Sequence, residues 1–533
     1  MNSKPQFCSD SRAHVIVLSM LLSISACAKT IYVDKDATGA NDGTSWGNAY
    51  VYLQDALADA NLAAKPVDIR VAQGVYRPDR GDGIARTDRA ASFQLISGVA
   101  VRGGYAGLYH PDPDVRDVRQ YEAILSGDLG LDDSDPWEGA WKAILSHPQY
   151  HWQMVDDMIR RSDRDKNSYT VVTGSGTDET AVIDGFTISS GHADGAEGPW
   201  DGPQVNGAGM YNKGGCPTVL NCTFLRNTSC GYDIGTHGAG MFNSDSNPVI
   251  GNCKFVQNVA WGANAVSAGG GVFDVNSSPV FDNCVFHGNM VDGFDNAYYG
   301  PALYDLDSNS TLVNCFFLRN LSGGSAIMLA GSDLTLTNCT FTGQLSAVSC
   351  DTWFGSTRET SSLLAASCIF GDNIVDAEGR CWSEVQVIYS NMRGGFEGAG
   401  NIDCDPCFVN SGYIHDNGTP DESYDDLWID GDDYHLKSQA GRWDPDIAGW
   451  ILDDVTSLCI DAGDPTSPIG PEVFPNGGLV NMGGYGGTAE ASKTYFGGPA
   501  CQTIVAGDLN GDCRVDFRDF SLLSVNWLAD QNP

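Results

Sequence analysis

The chain has 533 residues and a formal net charge of −38, with 68 acidic residues against 30 basic ones. That excess of carboxylates excludes a nucleic-acid partner, whose phosphates call for Lys and Arg. The length provides for a large core and more than one domain. Beyond the N-terminus no stretch reaches the roughly 18 consecutive apolar residues of a spanning helix, so no transmembrane helix is expected in the mature chain.

Residues 1–28 read as an export signal. Lys4 and Arg12 precede an apolar run, and Ala26-Cys27-Ala28 fits a small-residue cleavage site. Ile24-Ser25-Ala26-Cys27 also resembles a lipobox, which would leave Cys27 lipidated. Both routes predict a secreted or cell-surface protein. Residues 29–167 read as the N-terminal cap and first rungs of a β-structure. IYVDKDATG is strand-like, and the spacing of residues 46–60 predicts an amphipathic helix that covers an open sheet end. Residues 131–167 interrupt the rungs with an insertion whose Trp137, Trp141, Tyr150 and Trp152 suit a small satellite core or stacking on sugar rings.

The span 168–402 holds the main signal. Four copies of a 31-residue unit begin at Gly207, Gly238, Gly269 and Gly300, with Cys222, Cys253, Cys284 and Cys315 in one register. A fixed period of this size means stacked structural units. Within each copy, apolar positions two apart alternate with Gly, Asn, Ser and Pro, which predicts several short strands per unit and an all-β parallel β-helix. Asn221, Asn252, Asn283, Asn314 and Asn338 form one column, and Asn227, Asn258, Asn289 and Asn320 a second. Asn columns at turns bond along the stack and tolerate left-handed backbone. The cysteine column, continued by Cys339 and Cys368, is expected to be buried free thiols, because stacked neighbours point the same way. Off-column bridges are expected at Cys501–Cys513 and Cys407–Cys459. Met210/Met241/Val272/Leu303 and Tyr211/Phe242/Phe273/Tyr304 are adjacent columns and cannot both face inward; which one does is open from sequence.

The GxGxYN…NCxF…N pattern resembles the repeats of polymorphic-outer-membrane-type proteins and of the right-handed β-helix group that includes pectate lyases. The resemblance implies a right-handed solenoid. It carries over no catalytic set, because no residue matches the lyase or polygalacturonase signatures.

The connections between repeats, at 191–206, 230–237, 261–268 and 292–299, are expected to stack on one side as a band of aromatic and acidic groups. His192, Trp200, Tyr232, His237, Trp261, Tyr298 and Tyr299 are its substrate-binding candidates, and Asp194, Asp201 and Asp233 its catalytic candidates. Aromatic faces stack on sugar C–H faces, carboxylates accept hydroxyl hydrogen bonds, and paired carboxylates cleave glycosides. Wet loops rich in Asp and Gly give the same composition without any ligand.

Residues 403–500 change composition and read as a C-terminal capping extension. In residues 501–533, Asp508, Asn510, Asp512, Asp516 and Asp519 occupy positions 1, 3, 5, 9 and 12 of an EF-hand-like loop, with the Arg514 carbonyl at 7. This predicts a small calcium module. It resembles a type I dockerin repeat, with Cys513 at the usual glycine position and without the customary second repeat. The resemblance implies a cohesin-like scaffold partner. Two functions are compatible with the whole: a secreted protein that binds and cleaves an extracellular polysaccharide as a lyase or glycosidase, or a non-catalytic adhesion or matrix protein.

Overall fold

The computed structural model describes residues 29–133, 164–195, 201–232, 235–263, 265–293, 298–320, 324–344, 346–351, 356–371, 374–375, 381–415 and 427–497, together with Val515, Phe517 and Phe520. The chain divides into two units. The first holds residues up to Thr335 with Gly343–Ser362 and Val375–Glu384; the second holds Leu336–Thr342, Leu363–Ile374 and the remainder from Val385.

In the first unit, from Val67 onward, the rungs contribute strands to three walls. Wall A runs from Lys29–Val33 through Val67–Ala72, Val99–Tyr105, Val182–Asp184, Thr218–Leu220, Val249–Gly251 and Val280–Asp282 to Asn309–Val313. Wall B includes Ala123–Ser126, Thr187–Ser189, Thr223–Leu225, Lys254–Val256, Val285–His287 and Phe316–Leu318. Wall C includes Phe93–Gln94, Val172–Thr173, Met210–Lys213, Met241–Ser244, Val272–Val275 and Leu303–Leu306. All of these neighbours pair in parallel, and within the four repeats residues 31 apart face one another, as Met210 does Met241 and Phe224 does Phe255. The expected parallel β-helix is therefore the fold. A helix, Leu53–Leu62, packs against the first two strands of wall A through buried Leu53, Ala56, Leu57 and Ala60, starting later than the predicted residue 46, where a short 3-10 turn stands instead.

The register turns each repeat position into a ladder. Phe224, Phe255, Phe286 and Phe317 stack at 4.8, 4.9 and 4.8 Å, all fully buried. Each such pair contributes about 0.5–1.5 kcal/mol beyond the area it buries. Cys222, Cys253, Cys284 and Cys315 lie beside them as buried free thiols, as expected.

Both asparagine columns bond along the stack, as Asn283 Nδ2 does to Asn252 Oδ1 at 2.8 Å, and only the first takes left-handed backbone. Asn221, Asn252, Asn283 and Asn314 take positive φ angles of 51, 54, 52 and 54°. The column Asn227, Asn258, Asn289 and Asn320 is buried, and its amides bond along the stack. Asn258 Nδ2 donates to Asn289 Oδ1 at 2.9 Å and to the Phe224 carbonyl at 2.9 Å. Its own Oδ1 accepts from the main-chain N and the Nδ2 of Asn227, both at 3.1 Å.

A third polar ladder crosses the core of wall C. Asn212 Nδ2 donates to Asn243 Oδ1, and Asn243 Nδ2 to Asp274 Oδ1, each at 2.7 Å. Asp305 stands opposite Asp274 on the next strand and accepts from Ser310 Oγ at 3.0 Å. Both aspartates are fully buried, and no donor reaches either Oδ2. Burial raises both carboxyls, Asp305 to about 7 and Asp274 well above the usual range, each also acting on the other.

The open question about wall C is settled by burial. Met210, Met241, Val272 and Leu303 fill the core, all at 0% exposure. Tyr211, Phe242, Phe273 and Tyr304 stack on the outer face with rings 5.5, 5.5 and 5.2 Å apart, nearly parallel. Their low exposure, 6% at Tyr211 and less at the rest, has a cause. Ala268 joins their cluster, and its strand belongs to a narrow sheet of Thr236–His237, Ser267–Ala268 and Tyr298–Tyr299.

A disulfide, Cys350–Cys381, closes 31 residues. The expected Cys407–Cys459 bridge is not formed: both are free, and Cys459 Sγ lies 4.0 Å from Cys404 Sγ instead. Cys501 and Cys513 lie outside the described residues.

In the second unit, Thr340–Thr342, Ile369–Phe370 and Asn391–Met392 continue as parallel rung strands. Antiparallel hairpins follow, Phe408–His415 with Leu427–Leu436 and Arg442–Asp444 with Gly449–Ile451. Leu436, Cys459, Ile460 and Met482 pack on Ile369. Asp433 receives a 2.6 Å hydrogen bond from the buried His435 Nδ1 and pairs with Arg442.

Candidate functional site

The inter-repeat connections are strands. His192–Ala193, Thr228–Tyr232, Val259–Ala263 and Met290–Gly293 form a four-stranded parallel sheet, and the narrow sheet over the aromatic ladder is built from the same connections. The predicted stacking of these segments is present, but among the described residues Trp261 and His192 are buried within it instead of exposed. Trp261 is 1% exposed and His192 2%, so neither offers a ring face to a ligand. His237 packs its ring 4.5 Å from Phe273, and burial lowers its pKa to about 4; Nδ1 lies 3.0 Å from Asn206 Oδ1. Tyr299 lies against Tyr304 at 6.1 Å. Small residues between the ring positions (Gly231, Gly262, Gly293) let these segments pair, and pairing turns the rings inward. Trp200 and Asp233 lie outside the described residues, as do the side chains of Tyr232 and Tyr298.

Two of the predicted residues meet in a charged cluster. Arg89 pairs with Asp194 and donates to the His192 carbonyl at 3.1 Å and to the Asn167 carbonyl at 2.6 Å. His192 Nε2 lies 3.6 Å from Asp194 Oδ2, and its Nδ1 lies 2.5 Å from Thr228 Oγ1. Arg164 reaches the same Thr228 hydroxyl at 3.4 Å. Burial holds the His192 pKa well below its usual value, with Arg164 and Arg89 adding to the effect. Burial also raises the Asp194 carboxyl, against the pull of Arg89. One donor atom each from Asp165, His192 and Asp194 lies within 4.8 Å of the others, the spacing of a cation site. Two arginines beside the trio oppose a cation there. Asp201 stands apart: its carboxylate pairs with Lys213, and its carbonyl accepts from the Tyr211 hydroxyl at 2.5 Å.

The Arg89 guanidinium lies 4.2 Å over the Tyr169 ring, and Tyr169 leads into a groove of about 220 Å³. Its lining includes Ser92, Tyr169, Thr173, Ser175, Gln204 and Tyr211. Hydroxyls, an amide and two tyrosine rings in one recess are the functional groups that recognise a polyhydroxylated ligand. Sequence reasoning missed this site. The readable signal was the alignment of SYTVVTG with NGAGMYN, which places Thr173 where each of the four repeats carries an aromatic ring.

The calcium-loop residues Asp508, Asn510, Asp512, Arg514, Asp516 and Asp519 all lie outside the described residues.

Residues 159–317 match the family described as right handed beta helix region, which agrees with the walls above and gives their hand. Residues 405–463 match a second family, described as disaggregatase related. No curated protein matches the chain. Among solved structures, pectate lyase Pel9A is similar at 12% identity, covering 86% of this chain and 96% of its own, with a TM-score of 0.35. A rhamnogalacturonan lyase is similar at 11% identity, covering 72% of this chain and 91% of its own, with a TM-score of 0.29.

Proposed function

We propose that this right-handed parallel β-helix protein is secreted and binds an extracellular polysaccharide. The observation that supports it is the groove beside Tyr169 and Tyr211, with its hydroxyl and amide lining and the Arg89–Asp194–His192 cluster at its edge. A second reading, cleavage by a lyase or glycosidase route, is favoured by Asp194, a carboxyl raised by burial and grouped with Asp165 and His192. Carboxyls of raised pKa near a second acid suit proton transfer to a glycosidic oxygen.

The test is a panel of polysaccharides offered to the exported protein, with calcium present. Retention in affinity gels reads binding, new reducing ends read cleavage, and ultraviolet absorbance of unsaturated ends separates lyase from hydrolase. Failure of every polymer to retain or react overturns the proposal and leaves an adhesion or matrix role. The proposal extends to the terminal segment: Asp508, Asn510, Asp512, Asp516 and Asp519, with the Arg514 carbonyl, bind calcium and attach the chain to a cohesin-like scaffold. Calorimetric titration with calcium, repeated on Asp508→Ala, tests the first part, and pull-down with a cohesin tests the second. Processing at Cys27 is read by mass spectrometry of the mature N-terminus, which separates a lipoprotein from a freely secreted chain.

A further inference from the structure

Three cysteines of the second unit gather beside its rung strand Asn391–Met392, outside the stacked thiol column. Cys404 and Cys459 are 55 residues apart in sequence, yet their Sγ atoms lie 4.0 Å from one another. Cys407 acts electrostatically on both. Neighbours in the column cannot bridge, because stacked side chains point the same way. Cys404 and Cys459 belong to different segments, neither of them a strand, and their side chains meet in one apolar cluster.

Both backbones are held in place. The Cys404 main-chain N donates to Asn391 Oδ1 at 3.0 Å, and its carbonyl accepts from Asn391 Nδ2 at 3.0 Å. The Cys459 N donates to Ser457 Oγ at 3.1 Å, and its carbonyl accepts from the Met482 N at 2.9 Å. Closing the 4.0 Å contact to a bond of about 2.05 Å therefore falls to rotation of the two side chains. The two thiols differ in access: Cys404 is part-buried and Cys459 fully buried. A hydrogen bond from the Cys459 thiol holds the Cys404 pKa below its usual value, against burial and the nearby Asp405 and Asp403. The same contact raises the Cys459 thiol, with burial adding to it. The accessible sulfur is thus the readier to ionise, and the thiolate is the attacking form. Cys407 lacks this arrangement. Burial raises its thiol, with Asp405 and Cys404 adding, and its Sγ lies 3.5 Å from the Asp405 carbonyl.

We infer that Cys404 and Cys459 are a disulfide site, closed by exchange with a low-molecular-weight disulfide. The Cys404 thiolate attacks one sulfur of the donor, forming a mixed disulfide and expelling the first thiolate. Cys459 passes its proton to that thiolate and attacks the Cys404 sulfur, expelling the second. The second thiolate takes up the proton that Cys404 lost, so one dithiol and one donor give one protein disulfide and two free thiols. The bridge ties the corner after Asn391 to the segment packed on Ile369, and both antiparallel hairpins lie between its ends. An oxidising exterior suits such a bridge, in keeping with the proposed secretion, while the exchange itself is tested without presuming export.

The folded full chain is incubated with oxidised glutathione, unfolded in mildly acid N-ethylmaleimide to block the remaining thiols, and cleaved before aspartate. That cut separates Cys404 from Cys407, since Asp405 lies between them. The expected product in mass spectrometry is Asp403-Cys404 linked through Cys459 to the peptide Asp454–Ile460, with Cys407 carrying maleimide. Cys407→Ser should give the same link, and Cys404→Ser should leave Cys459 a thiol. The wild-type map stands by itself if a variant does not fold. A link from Cys407 in place of Cys404–Cys459, a lasting glutathione adduct on Cys404, or maleimide on all three cysteines overturns the inference.

Discussion

The stacked pair Asp274 and Asp305 makes stability depend on pH in a direction opposite to that of most surface carboxylates. The perturbation is the double substitution Asp274→Asn and Asp305→Asn, which continues the amide ladder begun by Asn212 and Asn243 and removes both ionisable groups. Asp305 is raised from the ordinary 3.8 to about 7, mainly by burial, and a change of that size corresponds to about 4 kcal/mol. In the unfolded chain both carboxyls lose their protons near the ordinary value. The folded chain keeps them to higher pH, so it binds more protons than the unfolded chain between about 4 and 7. Stability therefore falls as pH rises through that window; the Asp305 share of the loss is complete above it, and Asp274, held well above its usual range, carries the fall further. Because Asp305 is fully buried, solvent does not screen the effect. Urea unfolding at a series of pH values from 4 to 8 reads it. The wild type should approach the double variant at pH 4 and fall behind it by at least about 4 kcal/mol, the Asp305 share alone, at pH 8. A difference that stays flat from pH 4 to 8 refutes the reasoning, since it would mean that neither carboxyl retains a proton in the fold.

The buried asparagine ladder gives a second prediction. Asn258→Ala leaves the Phe224 carbonyl and the main-chain N of Asn227 short of a partner, while Asn227 Nδ2 keeps the Ile188 carbonyl and Asn289 Oδ1 keeps the Asn258 main-chain N. At about 1–3 kcal/mol for each of these two buried groups, the loss is about 2–6 kcal/mol. Asn283→Ala, in the other column, loses one exposed bond to Asn252 and strains a φ of 52°, for about 1–2 kcal/mol; equal losses at the two sites in urea melts would contradict the assignment of roles. Reduction of Cys350–Cys381, which closes 31 residues, should lower stability by about 3–4 kcal/mol on the loop-entropy estimate. Melting the oxidised chain with and without reductant, and the Cys350→Ser/Cys381→Ser variant beside it, checks that figure.

The fold was legible because a parallel stack writes its geometry into the sequence at one fixed interval. Cys222 to Cys315 and Asn227 to Asn320 show that plainly: every 31 residues the same side chain meets the same neighbour. Burial was less legible. The outer column Tyr211 to Tyr304 and the inner column Met210 to Leu303 are equally apolar in sequence. What decides between them is a cover strand such as Ser267–Ala268, read from sequence as loop. The same misreading placed Trp261 and His192 on an exposed band. Short strands of two to five residues rich in Gly, Asn and Ser look like turns, and only pairing with copies of themselves makes them strands. The groove was invisible for another reason: it is defined by what position 173 lacks relative to later repeats, and a residue-by-residue search for reactive groups passes over a threonine.

The matched register has a consequence for how such a gene can change. Every ladder in the repeats, of phenylalanine, thiol, amide or outer ring, closes on a neighbour of its own kind 31 residues away. A tandem duplication of residues 238–268 would insert one whole rung with each stack unbroken, and its deletion would bring Met210 against Val272 as it now stands against Met241. An insertion of a single codon inside a strand would instead turn every following side chain of that strand to the opposite face, since pleated strands repeat every two residues. Length should therefore vary among descendants of this gene in whole repeats, with the odd-sized insertions confined to the corners.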